Sequence, residues 1–553
     1  MIASITGGTT FSTLDYVIFV TYAAVILFIG LFVSRTKKGK EKTAQEYFLA
    51  DKALPWWAIG ATLIGSNISA EQFIGMSGTG FKIGLAVASY EWMAAATLII
   101  VGKYLLPIFL KENIYTMPQF LEQRFDNRVR TSLAVFWLLV YVFVNLTSIL
   151  YLGALSIEKI FGLPLIYGIL GIAAFSALYS VYGGLEAVAW TDVVQVVVLI
   201  IGGLVTAYLG LNKVAELSGD TGMIAGFMKT WSAAQDHFHM IIPKNLPDGS
   251  ANPNYMDIPG ISVLVGGMWI VNMSYWGFNQ YITQRAFAAK NLREAQKGVM
   301  FAGYLKLLMP LIVVVPGIVA YVLISHGGEV TNYAGVPITT TIGKPDEAYP
   351  WLLQNFLPTG LRGLAFAGLI AAIVAALSSM INSTATIFTM DIYKQFINKN
   401  PNDKQMVFTG RVVSGVGLLI AILVAPMLSG LDTAFQYIQE FTGFISPAVL
   451  AIFVFGFFWK RTTANAVLWA AVLAIPLGIL FKFTWATLPF IDRMGVVFLI
   501  LSAVIIVISM IEAKGDHPKA IKLEKGLFDT SMSFNIGSIG ICAILAALYI
   551  IFW

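Results

Sequence analysis

Long apolar runs alternate with short polar connectors along nearly the whole chain. The runs fall at 14–33, 54–80, 83–110, 131–155, 163–182, 187–211, 258–284, 298–325, 360–393, 409–428, 433–458, 464–484, 491–511 and 533–552. A helix rises 1.5 Å per residue and a bilayer core is about 30 Å thick, so about 20 apolar residues make one crossing. The pattern predicts an all-α polytopic membrane protein with about fourteen transmembrane helices.

Two runs depart from the rest. The run 54–80 holds Gly65-Ser66-Asn67 followed by Ser69, Glu71 and Gln72, and 258–284 holds the stretch from Asn272 to Gln280. Both are predicted to be interrupted. They take matching places in two sets of five, spans 2–6 and 7–11, the pattern of an inverted repeat whose broken first helices meet near the midplane around a binding site. The alternative is that Gly and Asn merely allow close helix packing; the matched positions favour the breaks. The expected organisation is an extra helix and basic loop (1–52), a first repeat (53–211), an outer loop (212–257), a second repeat (258–458) and three further helices (459–553). The connectors 212–257 and 326–359, rich in Pro, Gly, Asn and Asp, read either as lids over an outer vestibule or as plain connectors.

Composition agrees with this reading. Of the 553 residues 58% are hydrophobic and 12% charged, and the mean hydropathy is +0.77, values that exclude a water-soluble globular enzyme. Of 35 Lys and Arg residues, 25 lie in alternate connectors beginning with Arg35, Lys37, Lys38, Lys40 and Lys42, nine in the others, and Lys306 within a run. The excess marks the cytoplasmic side and puts both termini outside. The net charge of +5 is thereby accounted for without nucleic acid. A single Cys542 allows no disulfide, and His237, His239, His326 and His517 all fall in connectors, so no metal centre or haem is expected. There is no Gly-x-x-x-x-Gly-Lys loop for ATP and no nucleophile constellation; the chain does not read as an enzyme.

A charge inside a bilayer costs about 2.5–3.5 kcal/mol on insertion scales. Glu71, Glu91, Asp192, Lys306 and Glu440 therefore stand out, whereas Asp15 and Asp391 sit near run ends and read as interfacial. Glu91, with Tyr90, Gln72, Asn272, Lys306 and Gln439, would combine one anion, one cation and three amides at zero net charge, a set that both donates and accepts hydrogen bonds and suits a neutral polyol. Tyr275 or Trp276 would cover the apolar face of a sugar ring. No arginine falls mid-run, where an anionic substrate would call for one. The competing reading pairs Lys306 and Glu91 with each other and makes the aromatics packing.

Three stretches, WWAIGATLIGSNISAEQFIGMSG at 56–78, YSVYGGLEAVAWTDVVQ at 179–195 and NSTATIFTMDIYK at 382–394, resemble the sodium/solute symporter family, in its sodium/glucose cotransporter branch. The resemblance runs nearly end to end. It implies a LeuT-type inverted-repeat core of ten helices, uptake of a neutral hexose (galactose or glucose) with sodium by alternating access, and a plasma membrane location, the inner membrane in bacteria. It further implies sugar contacts at Gln72, Glu91, Asn272, Tyr275, Lys306 and Gln439, and gates at Met76, Tyr90, Phe435, Tyr275 and Trp276. Asp192 matches an acidic residue on the sodium exit route. The implied partners are sugar, sodium and membrane lipid, the implied state a monomer or weak oligomer, and no organic cofactor is implied.

Three positions depart from the family pattern, Ala94, Ala375 and Ala376. Ala94 replaces a serine near the sugar. The sodium site uses carbonyls at Gly65 and Ile68, with a carbonyl and two adjacent serine hydroxyls from the eighth core helix; these last positions are Ala372, Ala375 and Ala376 here. They share one helix face, but the hydroxyls are missing. A sodium-independent facilitator or sensor on the same scaffold is the alternative, and Ser378 or Ser379, about a turn further on, are the candidate substitutes.

Overall fold

The computed structural model describes residues 11–34, 43–112, 116–325, 329–338, 341–430 and 434–553. The basic cluster from Arg35 to Lys42, and His326, lie outside the described residues. Almost everything described is helix, with three isolated bridges between connectors. In chain order the principal helices are α1 (Thr13–Ser34), α2 (Trp56–Asn67), α3 (Ser77–Ile83), α4 (Ser89–Ile100), α5 (Leu106–Lys111), α6 (Met117–Arg124), α7 (Asn127–Val140), α8 (Thr147–Phe161), α9 (Leu165–Leu217) and α10 (Gly267–Phe278). They continue with α11 (Gln280–Phe287), α12 (Leu292–Ser325), α13 (Leu361–Ile387), α14 (Asp403–Val424), α15 (Ala434–Gly443), α16 (Ser446–Phe458), α17 (Ala464–Thr484), α18 (Phe490–Glu512) and α19 (Met532–Ile551).

Among the described residues, eleven helical segments are long and apolar enough to cross a membrane. The other three expected spans are 54–80 and 258–284, both broken, and 163–182, the first part of α9. That long helix turns at Gly184 (φ 68°, ψ −161°), where a Cβ would lie 2.5 Å from the Tyr47 carbonyl oxygen. Only a residue without a side chain takes this positive φ against a neighbouring backbone at so little cost.

Both interruptions have local causes. α2 starts after Pro55 and stops where Ile68 turns extended (φ −76°, ψ 119°). The Ser69 amide, which would close the next helical turn onto the Gly65 carbonyl, donates instead to Gln72 Oε1 at 2.8 Å, and the Ser69 hydroxyl donates to the same oxygen at 3.1 Å. A side chain has replaced the backbone acceptor, so the ladder fails there. A π turn (Glu71–Met76) then leads into α3. In the second repeat Asn279 (φ −80°, ψ 125°) separates α10 from α11.

α13 is almost wholly buried and packs along α9, while α12 packs along α2 and α3. α1 and α19 expose apolar side chains such as Phe28, Phe32, Ile536 and Ile550 over most of their surface, as lipid-facing helices do. Connectors of like expected side meet. Arg124 Nη2 reaches the Trp459 carbonyl and Lys519 the carbonyls of Glu122 and Phe125 on one face. On the other, the Met240 amide donates to the Phe552 carbonyl at 2.7 Å and Asp15 accepts from the Gly360 and Gly363 amides.

Asp15 and Asp391, expected at the interface, are fully buried. Asp15 caps the start of α13, accepting at 2.8 and 2.9 Å, and a carboxylate there satisfies otherwise orphaned amides. Asp391 accepts from Arg130 Nε at 2.7 Å and from Thr116 at 3.0 Å. Glu440 holds Lys482 and Arg493 at 3.0 and 2.9 Å in a partly exposed triad away from the helix breaks. Its charge serves packing between α15, α17 and α18 rather than the candidate site.

Candidate binding site at the helix breaks

Lys306, 1% exposed on α12, is the hub of a buried polar cluster. Its ammonium pairs with Glu91 of α4 and also donates to Asn67 Oδ1 at the end of α2. The Asn67 amide then donates to the Tyr275 hydroxyl at 2.8 Å, and that hydroxyl accepts from Tyr281. The chain Glu91–Lys306–Asn67–Tyr275–Tyr281 therefore ties both breaks together across five helices, α4, α12, α2, α10 and α11. Lys306 Nζ also stands 5.0 Å from the Trp276 ring centre, a cation–π contact that supports the buried charge.

The remaining expected contacts are engaged elsewhere. Gln72 is turned onto Ser69, and Asn272 donates to the Met268 carbonyl of its own helix at 3.1 Å. Gln439 is not in the Lys306 chain; with Glu71, Tyr141, Asn145, Tyr275 and Asn279 it lines a cleft of about 60 Å³. That volume holds about two waters and is well below the ~300 Å³ at which small-molecule pockets begin. In this structure the centre is collapsed around its own hydrogen bonds.

On the side of the 212–257 connector the cluster is covered by Met76, Tyr90 and Phe435, all buried. Tyr90 and Phe435 meet edge to face at 5.4 Å, and Phe435 packs directly on Gly75, where a Cβ would lie 2.7 Å from its own. Gly84, with φ 92°, brings the end of α3 onto the backbone of His237 in the connector 212–257. Across the cluster Tyr275 is half-buried, its hydroxyl held by Asn67 and Tyr281.

A second polar cluster flanks the break in α2. Asp192 of α9 is fully buried and accepts from Thr62 at 2.5 Å; its Cβ lies so near Gly65 that any side chain there would come within 3.1 Å. Arg285, at the end of α11, reaches in with Nη2 3.5 Å from Asp192 Oδ2. Its Nε donates to the Ser66 hydroxyl at 2.9 Å and its Nη2 to the Ser379 hydroxyl. Ala372, Ala375 and Ala376 are buried without hydroxyls, but Ser379 is on the same face of α13 and donates to the Ala375 carbonyl at 2.8 Å. Ser378 points elsewhere, 2.8 Å from Ser176.

A family profile described as the sodium:solute symporter family matches residues 47–474. The chain is 52% identical over 545 residues to a sodium/glucose cotransporter of Vibrio parahaemolyticus, spanning 98% of each. The chain belongs to the sodium:solute symporter family. It is also 33% identical to the sodium/myo-inositol cotransporter 2 of Oryctolagus cuniculus and 30% identical to the sodium/glucose cotransporter 1 of Ovis aries, over 84% of this chain and 69% and 71% of those proteins. Among solved structures, a Na+-coupled sialic acid symporter superposes with a TM-score of 0.77 at 22% identity, covering 91% of this chain and 98% of the other. This likeness extends to the fold, the LeuT-type inverted-repeat architecture.

Within this symporter fold, two participants escaped the sequence reading. Asn67 stands in the sequence only as part of the Gly65-Ser66-Asn67 break, yet it bridges Lys306 and Tyr275. Arg285 counts by position as a basic connector residue, one past the run 258–284, but it is 1% exposed beside Asp192. Its signal was the break at Asn279, which turns α11 inward as a continuation of the span.

Proposed function

We propose that this symporter family member imports a neutral hexose together with sodium by alternating access around the two broken helices. The observation that carries the reading is the 52% identity to a sodium/glucose cotransporter over 98% of both chains. The buried Glu91–Lys306 pair supports it: a balanced pair bonded to Asn67, with Gln72 and Asn272 as buried amides on the two broken spans, presents donors and acceptors without net charge. Sugar contacts are assigned to Gln72, Glu91, Asn272, Tyr275, Lys306 and Gln439. Met76, Tyr90 and Phe435 form the outer gate, and Tyr275 with Trp276 the inner one. The repeats are 53–211 and 258–458, preceded by 1–52 and followed by 459–553. The excess of basic residues places 103–130, 460–461 and 514–525 inside and both termini outside a plasma membrane.

Sodium is assigned to the carbonyls of Gly65, Ile68 and Ala372, with Asp192 on its exit route. Since Ala375 and Ala376 supply no hydroxyl, Ser379 with Ser66 takes their place in this reading. A stripped hard cation needs several oxygens, and carbonyls alone number too few.

A second reading rests on a specific contact. Arg285 already holds Ser66 and Ser379 and lies 3.5 Å from Asp192; a tethered guanidinium there would do without a mobile ion, making the protein a facilitator or sensor. Proteoliposomes loaded without sodium separate the two. Labelled galactose and glucose accumulate above equilibrium under an inward sodium gradient, and not under choline or a proton gradient, if sodium is coupled; equilibration indifferent to sodium establishes the facilitator.

A further inference from the structure

The face that gathers the basic connectors holds a second cavity, built by α5, α6 and the segment between α18 and α19. It measures about 310 Å³ and is lined by Lys111, Glu112, Gln123, Arg124, Lys519 and Lys522. This is within the size range of small-molecule sites, about 300–1,000 Å³.

Arg124 gives the cavity its character. The residue is 1% exposed. Nε donates to the Gly456 carbonyl at 2.7 Å and Nη2 to the Trp459 carbonyl at 3.2 Å, which fixes the guanidinium at the end of α16. Its central carbon stands 4.6 Å from the Phe125 ring centre, fixing the plane as well. Nη1 is buried with no hydrogen-bond partner, and no carboxylate forms an ion pair with Arg124 among the described residues. A buried cation of this kind is costly unless something completes its hydrogen bonding.

The surroundings share the sign. Lys519 is held 3.1 and 2.9 Å from the carbonyls of Glu122 and Phe125, and Lys522 stands on the rim. Of the two carboxylates lining the cavity, Glu524 is tied to Lys111 at 2.7 Å, and Glu112 ends α5. His517, two residues from Lys519, accepts the Lys519 amide on Nδ1 at 3.1 Å. Its pKa is pushed below the ordinary value by burial and then by Arg124 and Lys519, so the imidazole registers the positive potential.

We propose that this cavity binds a phosphate-ester anion, received by Arg124 Nη1 with Lys519 and Lys522 balancing its charge. A pre-positioned guanidinium matches phosphate oxygens in geometry as well as charge. The cavity lies where α5 and α6 end; with the basic connectors inside, it would stand at the level of the headgroups of that leaflet, where anionic lipids concentrate. A soluble phosphate ester offers the same group. The anion would fasten α6, α16 and the α18–α19 connector together, at a site that the transport of a neutral sugar does not itself require.

The test uses full-length protein in phosphatidylcholine nanodiscs. Thermal unfolding is followed while phosphatidylglycerol, glycerol phosphate or inorganic phosphate is added. Saturable stabilisation by phosphatidylglycerol alone assigns the site to a lipid headgroup, and saturable stabilisation by glycerol phosphate or inorganic phosphate assigns it to a free anion. Arg124→Lys risks misfolding because Arg124 holds the end of α16, so Lys522→Glu, on the rim, is the informative variant: binding should weaken by about tenfold. In protein carrying ¹³C-labelled histidine, occupancy should also raise the titration midpoint of His517. Absence of saturable stabilisation with all three additives, or an unchanged affinity in Lys522→Glu, overturns the proposal.

Discussion

The hydroxyl of Ser66, at the end of α2, lies 2.9 Å from the hydroxyl of Ser379 on α13. This contact joins the first broken helix to the helix whose Ala375 and Ala376 lack side-chain oxygens. It also puts a hydroxyl within reach of the region where a cation would bridge the two.

Ser379→Ala therefore should lower apparent sodium affinity by about tenfold, the loss of one hydroxyl ligand. Ala375→Ser with Ala376→Ser should raise it, because two hydroxyls would join the carbonyls on one face. Sodium-dependence of uptake in proteoliposomes measures both; indifference to all three changes would remove sodium from this location.

Lys306 and Glu91 form a buried pair. Removing one partner strands the other and costs about 3–5 kcal/mol, whereas replacing both with apolar or neutral groups costs much less. Lys306→Ala should unfold well below the parent protein, and Lys306→Met with Glu91→Gln should recover most of the thermal stability while leaving sugar binding undetectable. A double variant that still binds sugar by tryptophan fluorescence or calorimetry would reduce the pair to a structural role.

Tyr275→Phe keeps the ring but deletes the hydroxyl that joins Asn67 to Tyr281. The expected result is faster sugar exchange across the membrane with binding weakened severalfold or less; Tyr275→Ala, which also removes the ring, should weaken binding further. Equal exchange rates in parent and Phe variant would argue that the hydroxyl closes nothing.

His517 gives a pH signature. Its folded pKa is below the ordinary 6.5, with burial the first cause and the cations Arg124 and Lys519 the next. The unfolded chain thus takes up the proton at higher pH than the folded one, so the stability carried by the neutral imidazole is present above about pH 6.5 and is lost as pH falls below it. His517→Gln should flatten this acid limb of the thermal stability profile, and an unaltered limb would place the titration elsewhere.

Much of this was legible in the residues themselves. Apolar run lengths located the eleven long apolar segments among the described residues, because a bilayer leaves a helix no other way to satisfy its backbone. The clusters at Gly65 to Gln72 and Asn272 to Gln280 announced the breaks, since so many polar groups in one run have no use on a lipid face. Individual polar residues were harder. Glu91 and Glu440 look alike in sequence, yet one meets Lys306 at the helix breaks and the other meets Lys482 and Arg493 near the edge of the bundle. The choice of partner depends on which helix faces which, and that is tertiary. Ser378 and Ser379 differ by one position, about 100° around a helix, and this rotation sends one toward Ser176 and the other toward Ser66. Arg285 was hidden because a count of basic residues by connector takes no account of a helix that continues inward past a break.

Asp15 accepts amide hydrogens from Gly360 and Gly363, so a helix outside the ten-helix core is bonded end-on to α13. A transporter works by rocking one part of its core against another, and a helix clamped in this way cannot stay behind with the surrounding lipid. Where such rocking displaces α13, α1 would travel with it as one mechanical piece, carrying its lipid-exposed flank through the bilayer. The work of rearranging that lipid would then enter each transport cycle, and bilayer thickness or stiffness would act on turnover from outside the binding site.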